Sequence, residues 1–464
     1  LHLVEDYCTE LLDDDMEGNE LTSYQVVNFF EGEDIFVDKG LLPRYLKRYE
    51  TKVCNSTRLA VCDNKWDVVP ELLKIDKIED VLQLEERFLE EQEMKVILKP
   101  SDGAGGNGIS VLQHDEFMEF LHSSRVENVM SGDDIMQVYF QSPYLLHGHK
   151  SEVALYWTLA SIDPLVVYYF DELQIRRNAE PFDHGQFSPY KHVTNIDAQK
   201  SHKNYKELKK SLKWRMKDYK EYIEKDRGNG AFNFLLSQMK KSIIRVLNAT
   251  VPTMRGEEPY IQLPEKLILG YNLEDGCPAW QSESSSVATY RSDFMVDELT
   301  LQPIMTEVQS NFGAGYKNSA KKYIIPPLFR GIADIALEVA RLRSMKEPVE
   351  EVVNNVSPPH FHVLINEATD YYDDAVSEVN KRKFHCKSRD GVRCDKYYDP
   401  GYHVEIRNKF DENTNMFGDT VQDNGGEEEN VPILTAEDFE KEGDVDLDAS
   451  LASFIQKKGL SEEL

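Results

Sequence analysis

The chain has 464 residues and 41% of them are hydrophobic, so it is long enough to bury a large core and to form about two to three domains. Its formal net charge of −30 argues against a general nucleic-acid-binding protein, because such a protein needs a basic surface. No run of about 18 apolar residues is present, and the sequence therefore predicts no membrane span. Because the first residue is Leu1 and not methionine, we expect a fragment or a processed form.

Charge and cysteine spacing vary along the chain. Residues 1–35 form an acidic lead-in, and residues 409–464 form an acidic tail rich in Asn and Gly, for which we predict disorder. Residues 200–241 are rich in Lys and Arg, which indicates either a solvated face or a docking surface for an acidic partner. The six cysteines lack metal-binding spacing. The shared spacing of Cys54/Cys62 and Cys386/Cys394 and the N-glycosylation sequons allow two disulfides in a secretory compartment, but we expect reduced cysteines in the cytoplasm.

The hydrophobic pattern predicts a mixture of helices and strands. Apolar residues at helical spacing predict helices at 43–49, 75–91, 115–124, 205–225, 232–247 and 323–345. Apolar and β-branched runs predict strands at 95–99, 109–112, 135–140, 152–161, 165–170, 292–296 and 303–308, with short strand pieces between 54 and 69. Turn signals at 163–164 and 297–300 indicate antiparallel hairpins. The predicted fold class is α/β, in α+β layers with mixed, largely antiparallel sheets.

A glycine-rich loop joins the strand that ends at Lys99 to the strand that begins at Ile109. Its glycines are Gly103, Gly105, Gly106 and Gly108. Glycine lets the backbone approach phosphate groups closely, and the lysine at the base of the loop adds a positive charge. No Gly-Lys-Ser or Gly-Lys-Thr follows, which argues against a Walker loop. The pattern therefore predicts either a phosphate-binding loop or a flexible hairpin turn.

Two carboxylates and an amide occupy the late hairpin. Asp293 lies on its first strand, and Glu307 and Gln309 lie two residues apart on its second strand. Side chains alternate along a strand, so Glu307 and Gln309 share one face, and cross-strand pairing can bring Asp293 opposite them. Such a set of oxygen ligands suits Mg²⁺. The alternative is a polar, solvated face of the sheet.

Basic residues flank the central hairpin. Lys150 precedes it and Arg176 follows it, so both side chains can converge on one groove with Lys99. Surface placement is the alternative for each of them. Thr194 and Asn195 come directly before a helix, where a cap needs no further function.

Six motifs succeed one another in a characteristic order. They are KPSDGAGGNGI, QVYF, GHKSEVALY, RRNAEPF, HVTNIDAQK and DFMVDELTLQPIMTEVQSN. Together they resemble the tubulin–tyrosine ligase and ligase-like family, over a span from about Phe36 to Asn311. The resemblance implies an ATP-grasp fold, with an N-terminal and central region at 36–136, a catalytic domain at 137–345 and a C-terminal extension at 346–408.

The resemblance implies a nucleotide site. Lys99 and the glycine loop match the segment that contacts ATP phosphates, and Lys150 matches a lysine of the same site. Thr194 and Asn195 match a motif near the nucleotide. The hinge segment that packs against adenine is matched by Gln137, Val138, Tyr139 and Phe140.

The resemblance also implies the catalytic and metal residues. Arg176 matches an arginine that holds the acceptor or the transferred phosphoryl group, and it acts with Lys150 and Glu152. The implied magnesium ligands are Asp293, Glu307 and Gln309. ATP would convert a carboxylate to an acyl phosphate, which an amine then attacks to form an amide bond.

Three departures from the family pattern affect this expectation. Ala154 stands where the family commonly has arginine, which removes a planar, bidentate cation from the site. Glu152 replaces the usual aspartate, and Gln309 replaces the usual asparagine. Arg177 could compensate for Ala154, although strand alternation places it on the face opposite Arg176.

Three hypotheses follow from these observations. The first is an ATP- and Mg²⁺-dependent ligase that joins an amino acid, with Glu favoured over Gly or Tyr, to a protein acceptor such as a tubulin tail. The second is a nucleotide-binding scaffold that has lost catalysis, and the third is a ligase for a non-tubulin acceptor or a small molecule. We expect a monomer in the cytoplasm, in association with the cytoskeleton and without nucleic acid.

Overall fold

The computed structural model describes residues 26–57, 68–75, 77–91, 94–101, 106–185, 187–258, 261, 285–310, 312, 321–369 and 371–373. The predictions for Gly103, Gly105, the start of the acidic lead-in and the acidic tail lie outside these residues. Within the described part, no helix combines the length and the apolar content needed to cross a membrane. The domain boundaries drawn from the sequence stay a prediction.

The described strands are mostly short, except for one long central hairpin. In chain order they are β1 (Val26–Val27), β2 (Leu72–Leu73), β3 (Val96–Pro100), β4 (Ser110–Leu112), β5 (Asp134–Val138), β6 (Leu145–Leu146), β7 (His149–Ile162), β8 (Leu165–Arg177), β9 (Lys213–Arg215), β10 (Ser285–Ser286), β11 (Ala288–Val296), β12 (Pro303–Gln309), β13 (Phe361–Asn366) and β14 (Tyr371–Tyr372).

The described helices range from single turns to two long ones. In chain order they are α1 (Asp34–Val37), α2 (Leu41–Thr57), α3 (Ile78–Glu90), α4 (His114–Phe120), α5 (Arg125–Ser131), α6 (Pro189–His192), α7 (Ile196–Lys200), α8 (Tyr205–Leu208), α9 (Met216–Arg227), α10 (Ala231–Met254), α11 (Lys321–Met345) and α12 (Val352–Asn355). Two short 3₁₀ helices span Val349–Glu351 and Glu367–Thr369.

Three sheets organise these elements. The larger sheet has eight antiparallel strands in the order β12-β11-β7-β8-β13-β14, with β6 beside β7 and β9 beside β8. The smaller sheet has four strands in the order β2-β5-β3-β4, also antiparallel. β1 and β10 form a short parallel pair. This mixed arrangement with largely antiparallel sheets confirms the predicted fold class.

The larger sheet lies between two long helices. Val153, Leu155 and Trp157 of β7 pack in one apolar cluster with α10, whereas Tyr156 and Ala160 belong to a second cluster with α11. This is the alternation expected of a strand covered on both faces. Lys150 and Glu152 continue the Tyr156 face toward the start of β7 and are buried, so their charges need partners within the protein.

Two predicted elements are wrong. The helix expected at 205–225 is interrupted, because α8 ends at Leu208 and residues Lys213–Arg215 form β9 before α9 begins. β13 pairs only with the first half of β8, and β9 covers the edge that remains at Gln174–Arg176. The strand pieces expected from residue 54 onward are also wrong at their start, where α2 continues to Thr57. Residues 58–67 of that prediction lie outside the described part.

Candidate functional site

The hairpin of β7 and β8 brings the predicted catalytic residues together. Glu152 pairs with Arg176 in the antiparallel register, and Lys150 lies two residues earlier on the same face of β7. Arg176 donates from Nη2 to Oε2 of Glu152 and to Oδ2 of Asp293, at 2.6 Å in both cases. Its buried Nε has no hydrogen-bond partner among the described residues. The guanidinium therefore links β7, β8 and β11 at one point.

Two hydroxyl groups complete the surroundings of Glu152. Thr194 donates to Oε2 at 2.8 Å, and Thr306 donates to Oε1 at 3.1 Å. Together with Arg176, these contacts satisfy both carboxylate oxygens. Glu152 is thus suited to hold Arg176 in place rather than to transfer a proton.

The two carboxylates predicted to bind metal lie opposite each other, as expected, with Asp293 of β11 paired to Glu307 of β12. Glu307 is the more open, with 23% of its side chain exposed against 0% for Asp293. Burial and the charges of Asp293 and Glu152 raise the pKa of Glu307 above its ordinary value. Burial also acts to raise the pKa of Asp293, but Arg176 and Arg291 outweigh it and lower that pKa below its ordinary value.

The donor set fits a hard cation such as Mg²⁺. Asp293 and Glu307 supply carboxylate oxygens, and Gln309, whose Nε2 donates to Glu307, supplies an amide on the same face. A divalent cation would relieve the repulsion that raises the pKa of Glu307. In the described part of the chain, no three acidic, His or Cys side chains are arranged to hold a metal by themselves. The amide oxygen of Gln309 could therefore add a ligand to the two carboxylates.

Two lysines, the fully buried Lys150 of β7 and the half-buried Lys99 of β3, lie at the junction of the larger and smaller sheets. Lys99 donates to Oε1 of Gln137 at 3.0 Å, and Lys150 donates to the hydroxyl of Tyr139 at 2.8 Å. Burial and the charge of Lys99 lower the pKa of Lys150 to about 7. Burial also lowers the pKa of Lys99. The ammonium groups of Lys99 and Lys150 lie near each other and repel each other, so a bound polyanion would be favoured at this position.

Tyr139 connects Lys150 to His192, in the segment before α7. Its hydroxyl lies 2.8 Å from Nδ1 of His192, whose pKa burial and Lys150 lower to about 4. The backbone N–H groups of Val138 and Tyr139 donate to the carbonyls of Glu71 and Lys95, at 2.9 Å each. A base bound at this hinge would therefore hydrogen-bond to other groups. Gln137 is buried, and Phe140 is half-buried.

The described end of the glycine loop packs on the same segment. Gly106 and Gly108 have φ angles of +80° and +73°, which favour glycine. A Cβ at Gly106 would lie 2.7 Å from Cγ1 of Val193 and 3.6 Å from Cβ of Asn195. Only glycine allows this close approach. The loop thus reaches the residues predicted to lie near the nucleotide.

Two residues named from the sequence, Arg177 and Asn195, have other or smaller roles. Arg177 points away from Arg176, donates from Nε to the carbonyl of Ser211 and lies over Trp214, so it does not compensate for Ala154. Asn195 caps α7 by accepting from the backbone N–H of Asp197, and its side chain is only half-buried.

Sequence reasoning missed Arg291, Thr306 and His192. Arg291 donates from Nε to Oδ1 of Asp293 at 2.9 Å and from Nη2 to Oδ2 at 2.6 Å. Its position two residues before Asp293 was a usable signal, because alternation puts both on one face. Thr306 and His192 reach the site through contacts between distant segments, which no local pattern reveals.

The family relationship rests on sequence comparison. The model of the tubulin-tyrosine ligase family matches residues 16–337. The chain belongs to this family. The match includes all of the site residues described above, and the mixed α/β fold is the ATP-grasp-like arrangement of this family.

Curated relatives are distant and much longer. The tubulin polyglutamylase TTLL7 of Homo sapiens is 23% identical over 301 residues, which cover 60% of the chain and 31% of the relative. TTLL7 of Xenopus tropicalis is 24% identical over 209 residues, which cover 42% of the chain and 21% of the relative. The tubulin monoglycylase TTLL3 of Homo sapiens is 21% identical over 229 residues, which cover 47% of the chain and 28% of the relative. The chain thus spans about a fifth to a third of these relatives.

Proposed function

We propose that the chain is an ATP- and Mg²⁺-dependent ligase that joins an amino acid to a protein acceptor such as a tubulin tail. Glutamate is the favoured amino acid, with glycine and tyrosine as alternatives. The observation that carries the proposal is the buried Arg176, which bridges Glu152 and Asp293. Lys99 and Lys150 lie within electrostatic range of this bridge, because Glu152 acts to raise the pKa of both lysines and Glu307 acts to raise that of Lys99.

The site residues divide into three roles. Lys99 and Lys150 would bind the phosphate groups, and the segment 137–140 would contact the base. Arg176 would orient the group that receives the phosphoryl. The terminal phosphoryl of ATP passes to a carboxylate, and an amine then displaces phosphate to form the amide bond. A magnesium ion held by Asp293, Glu307 and Gln309 would neutralise phosphate charge.

The relatives support this substrate class. Two of those compared are tubulin polyglutamylases and one is a tubulin monoglycylase, so glutamate and glycine are the better-supported co-substrates. The basic stretch at 200–241 complements an acidic acceptor in charge. We propose a monomeric protein that acts in the cytoplasm on the cytoskeleton.

Ala154 favours a second candidate function. Its buried methyl group stands opposite Asp293, where the family pattern places an arginine. A protein that binds nucleotide without ligation, and serves as a scaffold, would tolerate that loss. The two candidates differ in one property, the transfer of an amino acid.

Incubation with Mg-ATP, tubulin and labelled glutamate, glycine or tyrosine tests the proposal. We expect incorporation of one amino acid that requires both ATP and tubulin. Arg176→Ala should reduce incorporation at least about a hundredfold, because a charge at the reacting groups is lost. Arg177→Ala is the matched control, since this neighbouring arginine faces away from the site.

The outcomes separate the candidates. Nucleotide binding without incorporation of any of the three amino acids would favour the scaffold for this acceptor. Equal incorporation by Arg176→Ala and Arg177→Ala would contradict the assignment of the site. Activity that survives Lys99→Ala unchanged would refute the phosphate role of Lys99.

A further inference from the structure

Ala154 lies in the middle of the charged site. It pairs with Asp293 on β11 and with Gln174 on β8, and it is fully buried. Alternation along β7 directs its methyl group to the same face as Glu152. A longer side chain at this position would therefore point at the carboxylate of Asp293.

Arg291 reaches that carboxylate from the neighbouring strand. It pairs with Tyr156 of β7, so it is the diagonal cross-strand neighbour of Ala154. Its guanidinium makes a two-point contact with Asp293, at 2.9 and 2.6 Å, and Nη2 lies 4.0 Å from Oε1 of Glu307. Only 6% of the Arg291 side chain is exposed. It is therefore a buried cation committed to this site and not a surface ion pair.

The charges of the site require a second guanidinium. Arg176 is shared between Glu152 and Asp293 through a single Nη2 atom. Without Arg291, the shared contact with Arg176 would be the one guanidinium contact left to Asp293 among the described residues, in a buried position beside Glu307. Uncompensated carboxylates in such surroundings are strongly unfavourable.

We propose that Arg291 is a positioning residue that fixes Asp293 for the nucleotide and its metal, from the space that Ala154 leaves open. A large cation at 154 and Arg291 are then mutually exclusive, because Arg176 and Arg291 already occupy both oxygens of Asp293 and a third buried cation would be crowded against them. The inference rests on the proposed nucleotide function. On this proposal, Arg291 on the adjacent strand supplies the cation that the family resemblance implies at position 154.

A double-mutant cycle tests this pairing. The variants are Arg291→Ala, Ala154→Arg and the double variant, with Arg177→Ala as the control. The measurements are the affinity for a fluorescent ATP analogue as a function of Mg²⁺ concentration, and thermal unfolding without nucleotide. A merely structural role for Arg291 would leave the Mg²⁺ dependence unchanged once unfolding is accounted for.

Each single variant should weaken Mg²⁺-dependent nucleotide binding about tenfold or more. Arg291→Ala removes the contact, and Ala154→Arg crowds two like charges against Asp293. The double variant should recover to within about threefold of the wild type. Arg291→Lys, which preserves charge without the two-point contact, should be intermediate and guards against failure of Arg291→Ala to fold.

The results distinguish failure of this inference from failure of the proposed function. Additive effects of the two substitutions, in binding and in unfolding, would overturn the inference. If the wild type does not bind nucleotide, but the two substitutions have non-additive effects on unfolding, the nucleotide function is refuted. The pairing of positions 154 and 291 is then still established. Normal Mg²⁺ dependence in Arg291→Ala would overturn the positioning role.

Discussion

The two sheets contribute to the site in different ways. On the larger sheet, three adjacent strands carry Glu152, Arg176, Asp293 and Arg291, and the two arginines balance the two carboxylates. On the smaller sheet, Lys99 is held by Gln137, and the glycine loop covers the segment near Val193. The charge network of the larger sheet is buried and self-compensating, whereas Lys99 of the smaller sheet faces the like charge of Lys150 and the loop makes a close backbone approach. Changes in the network should therefore act mainly on stability, and changes at the two lysines and the loop mainly on nucleotide affinity.

The largest expected effect is on the larger sheet. Arg176→Ala leaves Glu152 and Asp293 without their shared cation, and should lower the free energy of unfolding by about 3–5 kcal/mol. The side chain of Arg177 contacts the carbonyl of Ser211 and the ring of Trp214, away from these carboxylates. Arg177→Ala should therefore lower the free energy of unfolding by about 1 kcal/mol or less. Denaturant unfolding measures both. Equal losses would mean that the network does not stabilise the sheet.

Glu33 offers a pH-dependent test on the same sheet. It accepts from the hydroxyl of Tyr290 on β11 at 2.6 Å, and burial raises its pKa to about 7. Below about pH 4.5 the carboxyl is protonated in both folded and unfolded chains, so its burial does not lower the free energy of unfolding. As the pH rises from 4.5 through 7, the unfolded chain ionises first and stability is lost.

Glu33→Gln should therefore be more stable than the wild type by about 2–3 kcal/mol at pH 8, and the gain should vanish near pH 4.5. The glutamine oxygen can still accept from Tyr290. Glu31→Gln, at an exposed position nearby, is the control and should change little at either pH. A gain that is the same at both pH values would contradict the burial of a titrating carboxyl.

On the smaller sheet, Gly106→Ala should cost about 2 kcal/mol and weaken nucleotide binding about tenfold. The added Cβ would meet Val193 at 2.7 Å. Gly148→Ala is the matched control, because Gly148 has a similar φ of +81° but no atom within 4 Å of the added Cβ. It should show the backbone strain alone. If both variants bind nucleotide equally, the close approach of the loop is not needed.

The smallest expected effect is a pH dependence of nucleotide affinity. Burial lowers the pKa of Lys150 to about 7, so its ammonium loses its proton as the pH rises above 7. ATP affinity should then fall by about tenfold, or about 1.4 kcal/mol, between pH 6 and 8. Lys150→Met should bind weakly with little pH dependence. Lys241→Met, on α10 across the larger sheet, should keep the wild-type profile.

The parts of the site that lie on strands were predictable, because alternation fixes the face. Alternation correctly predicted that Asp293 lies opposite Glu307. It also predicted that Arg177 points away from Arg176. Arg291 was missed because the predicted strand began at Ser292, whereas β11 begins at Ala288. A strand that is predicted too short loses the residues at its end, even when its register is right.

Contacts between distant segments were not predictable from local pattern. The bonds from Lys150 to Tyr139 and from Thr306 to Glu152 join residues that only the assembled fold brings together. The break in the helix predicted at 205–225 has the same origin, since β9 forms on an edge that β13 leaves open. Tertiary pairing overrides local propensity at such places.

The diagonal pairing of Ala154 with Arg291 has an evolutionary consequence. Neighbouring strands place residues side by side that are far apart in sequence, so a charge can move from one strand to another and still act at the same point in space. Such an exchange passes through an intermediate with both cations or with neither, and either intermediate should bind nucleotide more weakly than the two end states. In this family, a missing arginine in a motif should therefore be sought on the adjacent strand before a member is counted as inactive.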